Sequence, residues 1–268
     1  MAPAAAPTNL SQFPPHERRS VKHELEVPVI KAVIIAAGEG SHTDTSRPLA
    51  LKCLQHFDGV AVLERTISAS LEAGVTAFVF VLGFQDERIR KFVQVTFPDL
   101  NADYVHYPNR SRIDAEYSLS LAEPYCRSCD FITFNADVLF DTQIISRLLS
   151  ASQPNCLCID QNIQSDTDEI RIVIGARNLV FKANKSVAPE TAVGRLIGIE
   201  KIGKAAARLF FADLASTTSA MSRHQEFSSS PYERLIAKGI EFHTVDITGL
   251  NWLSAAKRAE SKLPEKVH

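Results

Sequence analysis

With 268 residues, 45% of them apolar and 22% charged, the chain is long enough to bury a full core, so neither disulfides nor a structural metal are needed to hold it together. The formal net charge of −2 excludes the basic balance of a duplex-binding protein, so no nucleic-acid partner is expected and any basic groups that matter act locally. No apolar run approaches the length that spans a bilayer, and no membrane role is expected.

The first 28 residues hold five prolines and a mixed charge cluster. They read as a flexible N-terminal tail, with one domain over 29–268. From Val29 the pattern changes. Val29-Ile-Lys-Ala-Val-Ile-Ile-Ala-Ala37 is a β-branched apolar run that fits a strand buried on both faces. A loop rich in Gly, Ser and Thr follows to about Pro48. The spacing predicts a helix over 60–73 ended by Gly74, a strand over 76–82 closed by Gly83, and a helix over 86–95. A short strand over 104–107 and a helix over 115–123 come next. A strand over 131–134 then ends at Asn135-Ala-Asp137, before a helix over 142–150. The second half is richer in strands: 156–160, 170–173, 179–183, 196–202 and 242–246, with helices over 204–214 and 231–238. The polar stretch 216–230 reads as a loop. Strand and helix in alternation mean an α/β fold: a three-layer α/β/α, Rossmann-like arrangement around a mostly parallel mixed sheet.

Five cysteines at irregular positions (Cys53, Cys126, Cys129, Cys156 and Cys158) are not a disulfide framework. Reduced thiols in a cytoplasmic protein are the simpler reading. Cys126 and Cys129 have C-x-x-C spacing, open to zinc or redox chemistry, but no second ligand pair at similar spacing accompanies them.

In an open α/β sheet, ligands bind beyond the carboxyl ends of the strands. The first such end is Ala36-Ala-Gly-Glu-Gly-Ser41. Its small residues let backbone N–H groups approach a phosphate, although a plain strand-to-helix turn has the same look. It is neither a Walker loop nor a full dinucleotide fingerprint. Lys52, returned to that loop, supplies the positive charge a triphosphate needs. Asp137, at a strand end on the same sheet edge, is either an oxygen ligand for Mg²⁺ or a turn and cap residue.

Taken in order, Ala32-Val-Ile-Ile-Ala-Ala-Gly-Glu-Gly-Ser41, Lys52-Cys-Leu54, Val62-Leu-Glu-Arg65, Tyr117-Ser-Leu119, Asn135-Ala-Asp-Val-Leu-Phe140, Lys185 and Ile197-Gly-Ile199 resemble the sugar-nucleotidyltransferase superfamily over about 30–254. Within that superfamily the chain is similar to the small CTP-dependent enzymes that activate phosphocholine, phosphonates or inositol phosphate. The resemblance implies transfer of a nucleotidyl group from an NTP, expected to be CTP, to a small phosphorylated or phosphonate acceptor with release of pyrophosphate. It implies Mg²⁺ or Mn²⁺ as cofactor, with Asp137 its ligand, and a homodimer among the expected assemblies. Ala36, Ala37, Gly38, Gly40, Ser41, Lys52, Gly83, Asp114 and Glu116 would contact the nucleotide, with Lys52 and Asp137 catalytic. Tyr117, Arg171 and Lys185 would face the acceptor, although either of these two cations reads equally well as a solvated surface charge.

Three departures stand against the family pattern. His42 takes the place of an arginine, and histidine is only partly charged near neutrality. Leu51 takes the place of a proline before the lysine. After Gly249-Leu-Asn-Trp252 the family carries a second metal-binding Asp, whereas Ala255 and Ala256 stand here, with Asp246 upstream and Glu260 downstream. These losses motivate an alternative, a catalytically impaired homologue that binds a nucleotide or serves as a regulatory or assembly subunit. A third reading is a transferase with a different nucleotide base. Trp252 and Phe227 are candidate walls for a quaternary ammonium group, with a core role for Trp252 as the competing reading.

Overall fold

The computed structural model describes residues 29–37, 51–83, 85–107, 115–163, 169–220 and 229–254. Four strands form its parallel half: β1 (Lys31–Ala36), β4 (Ala77–Leu82), β5 (Asn101–His106) and β6 (Phe131–Asn135). Their order across the sheet is β5-β4-β1-β6. Beyond β6 the sheet turns antiparallel through β11 (Gly194–Ile202), which also pairs with β8 (Cys156–Asp160) and β9 (Arg171–Ile174). β10 (Val180–Asn184) and β12 (His243–Asp246) complete the nine strands.

The apolar runs work as two-faced strands because successive side chains point to opposite sides. Ala32, Ile34 and Ala36 of β1, with Phe78, Phe80 and Leu82 of β4, enter one core. That core is closed by α1 (Val62–Glu72), α2 (Asp86–Thr96) and α5 (Gln143–Ser150). Val33, Val79 and Val81 enter the other. There α3 (Ala115–Ser120), α4 (Glu123–Cys126), α6 (Lys204–Ala220) and α7 (Pro231–Ala237) cover the sheet. The architecture is the expected α/β/α sandwich.

Several boundaries differ for physical reasons. The helix expected over 115–123 is two helices, because Pro124 in the first turn of α4 has no N–H for the carbonyl four residues earlier. The helix expected to stop at 214 runs on to Ala220, and Ser216 and Thr217 fold their hydroxyls back onto the Asp213 carbonyl. Two small ladders escape a periodicity reading altogether: β2 (His56–Phe57) with β3 (Val60–Ala61), and β7 (Val138–Phe140) with β13 (Trp252–Ser254). Among the described residues no helix is long and apolar enough to cross a membrane.

Candidate nucleotide site at the carboxyl rim

The carboxyl ends of β4, β1 and β6 lie side by side. Gly83 follows β4 and Ala37 follows β1. A Cβ at position 83 would sit 2.6 Å from the Ala37 carbonyl oxygen, so glycine is required where the two chains leave the sheet together. Ala36 and Ala37 are both buried here. Small residues at this rim fit an element whose backbone is closely approached. Gly38, Gly40, Ser41 and Asp114 lie outside the described residues, as does His42.

Lys52 reaches the same rim by a different route. It opens a single 3-10 turn, Lys52–Leu54, between the buried side chains of Leu51 and Cys53. Its neighbours anchor in the core beside α1, which leaves the lysine pointing out. The Cys53 thiol is pushed up to about 12 by burial, with the Asp137 charge adding to the rise, so it is a neutral packing group under the site. β6 continues one residue past its last pair, with the Ala136 N–H donating to the Ile35 carbonyl at 3.2 Å. The next residue is Asp137. Lys52 Nζ lies 4.0 Å from Asp137 Oδ2, and both side chains are partly exposed. The pair that sequence reasoning placed on one rim therefore meets there.

Asn135 stands just before this turn, at the end of β6. Its amide lies against Gly198 of β11, which has φ +84°. Tyr117 of α3 packs edge-on against Tyr107 at 5.3 Å, and Tyr107 donates its N–H to the Leu82 carbonyl at the end of β4. Glu116 points elsewhere: its carboxylate accepts from Arg234 Nη2 at 2.6 Å, and Arg234 Nε donates to Asp213 at 2.7 Å. Through Arg234, Glu116 ties α3 to α7 and α6.

Arg171 stands two strands away from β6, on β9, and Lys185 follows β10, the strand beyond it. Arg171 is only 5% exposed, and its Nη1 donates to the main-chain carbonyls of Lys185 and Val187 at 3.1 and 3.0 Å. Its charge is turned inward to shape that turn, which corrects the reading of a solvated surface cation. Lys185 is exposed in the turn itself.

A second polar cluster lies around Asp160. Asp160, at the end of β8, accepts from Arg195 Nη2, Trp252 Nε1 and the Asn162 N–H, each at 3.0 Å. Burial pushes its carboxyl up, but these donors and the Arg195 charge outweigh burial and leave it lowered. Arg195 also pairs with Glu169 and stacks 4.8 Å from the Trp252 ring centre. One face of Trp252 is thus covered by the chain's own cation; Phe227 lies outside the described residues. Asp246 is occupied by Gln161 and the Thr248 N–H. Nothing in local spacing signals a cluster assembled from four separate segments.

Among the described residues no group of three or more His, Cys, Asp or Glu side chains could hold a metal ion. Asp137 is a partly exposed oxygen donor beside Lys52. A single carboxylate fits Mg²⁺, which commonly takes one or two carboxylates and completes its shell with phosphate oxygens and water. Ser254 of β13 pairs with Val138, the residue after Asp137, and the sequence continues with Ala255 and Ala256.

No family model matches the chain. CMP-5'-(3-aminopropyl)phosphonate synthase from Streptomyces rubellomurinus is 26% identical over 149 residues, 56% of this chain and 23% of that protein. The match thus spans about a quarter of the curated relative's length. Among solved structures, the inositol-1-phosphate CTP transferase from T. maritima superposes with a TM-score of 0.68 at 17% identity, covering 84% of this chain and 89% of that one. The CTP:phosphocholine cytidylyltransferase from Streptococcus pneumoniae gives 0.63 at 15% identity, covering 87% and 98%. The chain has the fold of the nucleotidyltransferases.

Proposed function

We propose that the chain is a nucleotidyltransferase that moves a nucleotidyl group, read as cytidylyl, from an NTP to a small phosphorylated or phosphonate acceptor. The observation that carries this reading is the meeting of Lys52 and Asp137, 4.0 Å apart, at the rim where β1 and β6 end. In the reaction an acceptor oxygen attacks the α-phosphorus of the NTP. The new P–O bond forms as the bond to the β-phosphate bridge breaks, and pyrophosphate leaves with that electron pair. The protein's part is to position the partners and neutralise charge. Lys52 offers its ammonium to the α-phosphate, where negative charge grows. Asp137 would hold Mg²⁺, which supplies charge neutralisation for the phosphates when bound. Gly83 and Ala37 keep the rim low enough for close approach. The named activities of the matched CTP-dependent proteins support CTP as donor and a phosphonate or phosphate as acceptor.

A second reading has its own observation. The β7–β13 ladder runs to within one residue of Asp137, and the two positions that follow Ser254 are alanines. A chain with one carboxylate at this place could hold a nucleotide without turning it over. The experiment is pyrophosphate release with CTP, UTP, GTP and ATP against phosphocholine, inositol phosphate and aminoalkyl phosphonates, alongside calorimetric binding of each nucleotide. Turnover with any pair, lost in Lys52→Ala, supports the transferase. Nucleotide binding without turnover favours the second reading, and neither binding nor turnover overturns both.

A further inference from the structure

The Cys126-Arg-Ser-Cys129 segment takes no part in the rim chemistry. It lies at the opposite end of β6, just before Phe131, whereas Asn135 ends that strand at the rim. Cys126 closes α4 and is wholly buried in the core on the α6 face. Cys129 is only partly buried in the turn that follows. The Cys129 N–H donates to the Cys126 carbonyl at 3.2 Å, closing a turn over 126–129. The ends of such a turn lie within about 7 Å of each other, inside the span a disulfide bridges. The Cys129 sulfur also points back along the turn, 3.7 Å from the Tyr125 carbonyl and 3.6 Å from that of Cys126. Asp130 pins the turn on both sides: its carbonyl accepts from the Lys31 N–H at 3.0 Å and its carboxylate from the Lys204 N–H at 2.6 Å.

The two thiols are chemically unequal. A hydrogen bond from Cys126 lowers Cys129 to about 7; burial opposes this, Lys31 and Lys204 assist it, and Asp130 opposes it. The same hydrogen bond and burial push Cys126 up. An attacking thiol is most effective with a pKa near the ambient pH. Cys53, Cys156 and Cys158 are buried and raised by burial, which makes them inert. The zinc alternative finds no second ligand pair among the described residues.

We propose that Cys126 and Cys129 form a redox-active dithiol that exchanges with low-molecular-weight disulfides, Cys129 attacking and Cys126 resolving. The Cys129 thiolate attacks one sulfur of the external disulfide, forming a mixed disulfide and expelling one thiolate. Cys126 then gives up its proton to the thiolate freed in the first step and attacks the Cys129 sulfur, forming the Cys126–Cys129 bond and expelling the second thiolate, which takes a proton from water. The two cysteines lose two electrons, and the external disulfide takes them and leaves as two thiols.

The test uses the full chain in native buffer with excess oxidised glutathione, followed by alkylation and peptide mapping. The expected result is loss of two alkylatable thiols per chain and a single linked peptide joining Cys126 to Cys129. Cys126→Ser is expected to trap a stable glutathione adduct on Cys129, with Cys126→Ala as its apolar counterpart if the buried hydroxyl impairs folding. Cys129→Ser is expected to leave Cys126 unmodified. Failure of the wild-type chain to form the link under excess oxidised glutathione would overturn the proposal. So would a glutathione adduct that appears first on Cys126.

Discussion

Asn135 and Gly198 face each other across β6 and β11, and the asparagine amide fills the space a side chain at 198 would need. A Cβ there would lie 2.9 Å from Asn135 Cγ and closer still to its amide nitrogen, on a backbone with φ +84°. Both the clash and the left-handed backbone penalise substitution. Gly198→Ala is expected to cost about 2 to 4 kcal/mol, read as a fall in denaturation midpoint. Asn135→Gly in the same chain should restore the part due to the clash and leave the part due to backbone strain. If Gly198→Ala is neutral, the amide does not hold this position in solution.

Lys52 and Asp137 come from separate segments yet lie 4.0 Å apart. Both are partly exposed, so their mutual attraction contributes little to stability. Lys52→Ala is therefore expected to leave the melting temperature nearly unchanged while lowering nucleotidyl transfer about 100- to 1,000-fold, the range for losing one charge-stabilising donor. Asp137→Asn should lower transfer similarly, with a steeper requirement for added Mg²⁺. The double variant should lose much less than the product of the two single losses, because residues acting on one transition state are not additive. Fully multiplicative effects would mean that the two groups serve different steps.

The layers of this fold are legible from the chain because β1 and β4 alternate their apolar residues between two cores, as a doubly covered strand must. The meeting of Lys52 and Asp137 is legible too, since strand ends at one sheet edge bring distant motifs together. What stays hidden depends on partners rather than on spacing. Glu116 has the position of a ligand residue, and only Arg234, 118 residues away, reveals its occupation. Asp160, Arg195 and Trp252 carry no local pattern at all, because each finds its partners on a different strand. Arg171 resembles a surface cation until the carbonyls of a later turn are seen to claim it.

Arg234 is expected to be a stability residue. It bridges Glu116 and Asp213, and the Asp213 carboxylate is almost wholly buried, with Lys238 as its other cation. Arg234→Met leaves Glu116 without this partner and Asp213 with one cation instead of two. Removing one member of a buried ion pair costs about 3 to 5 kcal/mol, so the midpoint of chemical denaturation should fall accordingly. Replacing Glu116 by Gln in the Arg234→Met background should recover part of the loss, since one uncompensated charge is removed. A small cost for Arg234→Met would show that water reaches these carboxylates.

Glu200 is expected to make stability fall as pH rises. It is buried between β6 and α7, where Thr133 Oγ1 donates to Oε2 at 2.6 Å and Tyr232 adds a second hydrogen bond. Burial, the largest influence, pushes its carboxyl from 4.5 up to about 7, against the pull of those two hydroxyls. Between these values the folded chain holds a proton that the unfolded chain has released. Stability then falls as pH rises through the window. Below it both states are protonated and no cost exists. Above it the folded chain carries a buried carboxylate, at a cost on the order of 3 kcal/mol. Glu200→Gln keeps an acceptor for Thr133 without the charge. The variant should match the wild type near pH 4.5 and exceed it by about that amount near pH 8, measured by urea denaturation at each pH. A gap that stays constant with pH would mean that Glu200 ionises in the folded chain as it does in water.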